Sequence, residues 1–193
     1  GIAIQLAGAG STLDNAGLIT GLAGGVSGAT DLSVFNSGEI IAVNAYGIYG
    51  AGDLTVTNAE GGAVTGGAGV RAQGGLVLDN AGLISGGSWD RTVVALSSAT
   101  ITNAATGEIR ATGNNAIYVT GDDAIVQNAG LIASTGPNSA LYMRGLNASV
   151  TNLAGGEILA ESTGRGVWFD YAATLQNAGR ITGVTAVELR GDG

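Results

Sequence analysis

The words LDNAGLITG at 13–21 and LDNAGLISG at 78–86 are almost identical, and they belong to a longer series. Anchored on an asparagine, the series runs through Asn15, Asn36, Asn58, Asn80, Asn103, Asn128, Asn152 and Asn177. Successive anchors are 21, 22, 22, 23, 25, 24 and 25 residues apart. A fixed period of this length marks a solenoid, in which each unit buries its apolar face only by stacking on its neighbours. The helical repeat classes are longer, and the Gly, Thr, Val and Ile of this chain suit strands.

Each unit holds three short strand-like pieces. Two residues before the Asn, every copy is apolar: Leu13, Val34, Val56, Leu78, Ile101, Val126, Val150 and Leu175. At a period of two, these side chains share a face with the Asn. The second piece follows a Gly-x-apolar pattern, from Gly17-Leu18-Ile19 to Gly179-Arg180-Ile181. The turn before it carries two extra residues after Asn58, Asn103 and Asn152, which a surface loop absorbs. The third piece has an inward column of Ile4, Val26, Ile48, Val70, Val94, Ile117, Leu141, Val167 and Val187. A second inward column lies two residues on and includes Leu96.

Three strands per unit predict an all-β fold, a right-handed parallel β-helix (three-strand β-solenoid) of about eight coils of 21–26 residues. Coils about 4.8 Å apart would stack to roughly 38 Å. The Asn column is expected to be structural, with stacked amides bonding one another and the turn backbone. The Gly that follows is expected to permit a positive φ at the corner.

The hydrophobic fraction is 45% and the charged fraction 11%, which supports a core and argues against disorder. The chain has no Cys, His or Lys, so disulfides, His-based acid–base chemistry and Cys- or His-ligated zinc are excluded. A net charge of −8 argues against nucleic acid as a partner. No cofactor is expected. The opening GIAIQLAGAG has no basic start of the signal-peptide kind. Residues 1–193 are expected to form a single β-helix domain, a fragment of a longer protein.

Function belongs on the outward positions. On the third strand these are Gln5, Ser27, Tyr49, Arg71, Ala95, Tyr118, Tyr142, Trp168 and Glu188. Tyr118, Tyr142 and Trp168 fall in three consecutive coils, and with Tyr49 they are candidates for gripping a sugar or another protein. The competing expectation is that the rings stack on one another and cover the sheet. Trp89 is expected in a turn. Outward Thr pairs such as Thr55/Thr57 and Thr100/Thr102 hint at an ice-binding array, but Asp14, Phe35, Asp79 and Gln127 interrupt it. Glu39, Glu108 and Glu157 share a register in coils two, five and seven, roughly 14 and 10 Å apart, which only grazes the spacing of an inverting glycosidase pair. Asp31, Asp53, Asp122 and Asp123 sit in turns, where Asp usually bonds its own backbone, and no metal site is expected. Arg190-Gly191-Asp192 is a tripeptide that integrins read in some extracellular proteins, against which stands a plain strand-ending turn.

The N-A-G-x-I-x-G words, the three-strand coil and the absence of cysteine resemble the passenger region of bacterial autotransporters (type V secretion), across the whole chain. The resemblance implies a right-handed β-helix displayed outside the cell on a Gram-negative outer membrane, anchored there by a barrel of the parent protein. It implies adhesion, autoaggregation or biofilm formation, with a host or bacterial cell-surface protein or glycan, or another copy, as partner. The expectation is therefore a non-enzymatic stalk and binding or self-association surface. The alternative is a polysaccharide-active enzyme of the pectate-lyase or tailspike kind, which shares the architecture but places clustered charged residues in a groove with long loops.

Overall fold

Alternation of apolar and small polar residues, broken every few positions by Gly, Asn or Asp, leaves no stretch that could wind an amphipathic helix. The chain accordingly folds as strands. The computed structural model describes residues 1–87 and 90–191, and every regular element in them is a β-strand. Trp89, expected in a turn, lies outside the described residues.

The strands form three parallel sheets. Sheet A has nine strands, from Ile2–Leu6 through Val93–Ala95 to Thr185–Leu189. Sheet B has eight, from Thr12–Asn15 to Ala173–Asn177, and sheet C eight, from Leu18–Gly21 to Arg180–Thr182. Each strand pairs in parallel with its equivalents one coil before and after it, so the chain is a three-sheet parallel β-solenoid of about eight turns. The asparagines fall in register: Asn15 with Asn36, Asn36 with Asn58, and so on to Asn152 with Asn177.

The core is a set of vertical apolar rows. Sheet C contributes Ile40, Val64, Ile84, Ile109, Ile132 and Ile158; sheet B contributes Val56, Leu78, Ile101, Val126 and Val150. All of them are fully buried. Each such side chain stabilises the fold by about 1.5–3 kcal/mol relative to leaving it in water. Like residues stack on like because a row one coil apart leaves the same width at every level.

Two expectations need correction. In the fifth coil the inward residues of sheet A are Val93 and Ala95, not Val94 and Leu96. Val94 takes the outward register, between Arg71 and Tyr118, in place of Ala95. A one-residue shift moves every side chain to the other face. It arises because Thr92, fully buried at the strand entry, donates its hydroxyl to the Arg110 carbonyl at 2.9 Å and fixes where the strand begins.

The glycine after each Asn turn does not have a positive φ; that conformation belongs to Gly61 and Gly155, inside the two-residue-longer turns. What the recurring glycine answers is close approach between coils. A Cβ at Gly62 would lie 2.6 Å from the Asn36 carbonyl oxygen and from the Asn58 amide oxygen. Ala at this corner would collide with the coil beneath it.

Candidate functional site

Two features run the length of the solenoid: an amide ladder inside and a ring-and-guanidinium stripe outside. The ladder starts from the turn chemistry. Asn at the end of each sheet B strand points inward at the corner, and Asn36, Asn58, Asn80, Asn103, Asn128 and Asn152 are buried to 1% exposure or less. Each Nδ2 donates to the Oδ1 of the Asn in the next coil, at 2.8–2.9 Å from Asn15 through Asn152. The same Nδ2 reaches a carbonyl of its own turn, as Asn103 does to Gly107 at 3.1 Å. It also reaches the first sheet C carbonyl of the next coil, as Asn103 does to Leu131 at 3.2 Å. An aspartate column would offer only acceptors, and a leucine column would orphan the turn carbonyls. Asn177, in the terminal coil, is exposed, although its Oδ1 still accepts from Asn152.

The outer face of sheet A brings Tyr118, Tyr142 and Trp168 into one register. Tyr118 meets Tyr142 edge-on, with centroids 5.4 Å apart; Tyr142 stacks on Trp168 at 4.3 Å and 10°. Arginines close the stripe. Arg91 lies 4.1 Å over Tyr118, and Arg165 and Arg190 lie 4.3 and 4.7 Å from the Trp168 centroid. A gap of 4.3 Å between the Tyr142 and Trp168 rings admits no guanidinium, so both arginines use the other face of Trp168. The ring faces are therefore occupied, and the rings present edges. Trp168 is half-buried, and its indole N–H has no partner.

A polar network threads these groups. Tyr142 donates its hydroxyl to Asp170 Oδ2 at 2.8 Å, and Arg144 donates Nε to the same oxygen at 3.1 Å. Arg144 also donates Nη1 to the Tyr118 hydroxyl at 3.1 Å. Glu188 accepts from both Arg165 and Arg190. Burial, reinforced by the bond to Asp170, pushes the Tyr142 phenol up to about 12. The Arg165 hydrogen bond, followed by that of Arg190, holds the Glu188 carboxyl below the usual range.

Tyr49 is not part of this stripe. It lies in the third coil, where it stacks with Tyr46 at 5.5 Å, and the two line a shallow apolar cavity of about 180 Å³ with Ile2, Ala23, Gly24, Val26 and Ser27. Arg190 folds back over Trp168 instead of projecting from a turn, and Gly191 packs against Tyr171 and Ala172 so closely that a Cβ would lie 2.6 Å from the Ala172 nitrogen. Asp192 lies outside the described residues. Glu108 is held by Arg110 at 2.7 Å and Glu157 faces Arg180 at 3.9 Å, with Leu131 in the coil between them. Asp53 and Asp122 cap backbone N–H groups of Gly75 and Leu146, each at 2.7 Å.

The residue pattern missed the arginines as a group and Asp90, which pairs with Arg71 at 3.0 Å and with Arg91 at 3.5 Å. The available signal was Arg165 three residues before Trp168 and Arg144 two after Tyr142, both at strand ends where side chains reach round onto the sheet. No family model, no curated protein and no solved structure matches the chain.

Proposed function

We propose that the chain is a structural and adhesive β-solenoid module: a rigid stalk of the autotransporter-passenger kind, displayed on a Gram-negative outer surface. Its sheet A face serves as the binding or self-association surface, with a cell-surface protein or glycan, or another copy, as partner. The observation that supports this reading most is axial continuity. Three parallel sheets and one buried amide ladder pass through every coil without interruption. Bending such a rod in any direction stretches the inter-coil hydrogen bonds of whichever sheet lies on the convex side, so the surface resists bending and its side chains keep fixed spacing. A surface of that kind suits presentation and repeated weak contacts, which gain strength by acting together.

The test compares bacteria displaying the chain with bacteria displaying a Tyr118→Ala/Tyr142→Ala/Trp168→Ala variant, in aggregation and in adhesion to glycan-coated and cell-coated surfaces. Adhesion that falls in the variant, with circular dichroism still showing β-structure, supports the reading. Equal adhesion removes sheet A as the surface, and no adhesion by either removes the adhesive role.

A further inference from the structure

The distribution of charge on the rod is uneven. Five of the seven arginines, Arg71, Arg91, Arg144, Arg165 and Arg190, gather on the outer face of sheet A, as their ring contacts and ion pairs show. Three carboxylates meet them there: Asp90 takes Arg71 and Arg91, Glu188 takes Arg165 and Arg190, and Asp170 takes Arg144. Elsewhere on a chain of net charge −8, Arg110 and Arg180 are the only cations among the side chains. The pairs are also layered. Around Trp168, the side chains of Arg144, Arg165 and Arg190 are 51, 30 and 55% exposed, against 20% for Asp170 and 23% for Glu188. The carboxylates lie underneath and the guanidiniums outside, held in place by the rings. An excess of fixed cations on one face of an otherwise acidic body sets up a local field that draws anions to that face and away from the others.

We infer that this end of sheet A docks a linear polyanionic saccharide, carboxylated or sulfated, laid along the solenoid axis. The inference rests on the adhesive reading and names the ligand class for the same face. Guanidinium forks match carboxylate and sulfate groups, and their immobilisation by stacking lowers the ordering cost of binding. Arg144 and Arg190 stand just past strand exits two coils apart, with Asp170 in the register between them, and Arg165 crosses from the strand entry to meet Arg190 over Trp168. The anions that meet this cluster must therefore recur along the axis about every two coils, roughly 10 Å. A second copy offers no unbroken line: Glu39, Glu108 and Glu157 are separated by intervening coils, two of them already face Arg110 and Arg180, and the turn carboxylates Asp53 and Asp122 are engaged by the Gly75 and Leu146 N–H groups. Nucleic acid carries one charge per about 1.7 Å of duplex and meets stronger repulsion from the remaining acidic surface.

The experiment measures binding of the chain to immobilised heparin, polygalacturonate, neutral dextran and duplex DNA, at low and physiological salt. Two double variants carry the same loss of charge: Arg165→Gln/Arg190→Gln on sheet A, and Arg110→Gln/Arg180→Gln on sheet C. The expected result is binding to heparin or polygalacturonate, not to dextran, weakened about tenfold or more by the sheet A pair and within about twofold by the sheet C pair, and weakened by salt. Heparin alone or polygalacturonate alone identifies the sulfate or the carboxylate source. Failure to bind either polyanion, equal effects of the two double variants, or DNA bound as tightly as the saccharide would each overturn the inference. Should the displaying cells adhere while both polyanions fail to bind, the adhesive reading stands and the ligand class falls.

Discussion

Asn103 takes part in four hydrogen bonds inside the core: it donates to Gly107, Asn128 and Leu131 and accepts from Asn80. Asn103→Ala leaves buried acceptors without donors, and each orphan costs about 1–3 kcal/mol, so the variant is expected to lose roughly 3 kcal/mol or more. Asn177→Ala, exposed at its end of the ladder, is expected to lose about 1 kcal/mol or less. Urea unfolding of the two variants side by side checks the contrast, and equal losses would mean that the ladder carries no stability. Tyr142 gives a second prediction at this scale. Its phenol ionises near 12 in the fold and near 10 when unfolded, so the stabilisation it provides is complete below about pH 10 and disappears as pH rises from 10 towards 12. Alkaline titration followed by tyrosinate absorbance should show a late-ionising group that Tyr142→Phe removes. Absence of such a group from the native protein would contradict the burial of Tyr142 together with its bond to Asp170.

At the scale of the turn and strand, the same sequence word meets different surroundings in different coils. A Cβ at Gly130 would press far inside contact distance of the Ala104 and Gly107 carbonyl oxygens, whereas one at Gly17 meets nothing within 4 Å. Gly130→Ala is therefore expected to cost about 1–3 kcal/mol and Gly17→Ala close to nothing, as thermal unfolding will show. This difference also marks what the sequence makes legible. Eight recurrences of the Asn and its apolar partner two residues earlier mark the inward face of sheet B, because a one-residue shift would turn Asp14, Asp79, Gln127 and Gln176 into the core and the apolar row out to water. The fifth coil escapes that logic: Val93, Val94, Ala95 and Leu96 are all apolar, so alternation gives no parity, and the buried Thr92 hydroxyl decides. The aromatic stripe is readable as a column for the same reason that the asparagines are. Its arginines are not, because Arg91, Arg144 and Arg190 reach it from outside the column, and side-chain reach across a corner leaves no periodic trace.

Over the whole rod, protection should follow position along the axis. Ile84, Ile101 and Ile109 in the middle are fully buried, while Ile2, Val187 and Leu189 near the two ends are 44, 39 and 57% exposed. Hydrogen exchange of this chain is expected to be slowest in the central coils and to quicken towards both ends, since each coil is supported only by its neighbours. Uniform exchange would point to a single cooperative unit. The amide ladder adds a consequence of its own, because every Nδ2 gives in the direction of rising residue number. In the first coil the Asn15 oxygen accepts only from the Gly17 N–H of its own turn among the described residues, and in the last the Asn177 Nδ2 donates to Gly179 and keeps a second hydrogen. The rod thus has a sense, like a row of magnets laid pole to pole. A further coil, from whichever chain it comes, extends the row only by arriving the same way round; amides meeting oxygen to oxygen, or hydrogen to hydrogen, repel at that corner.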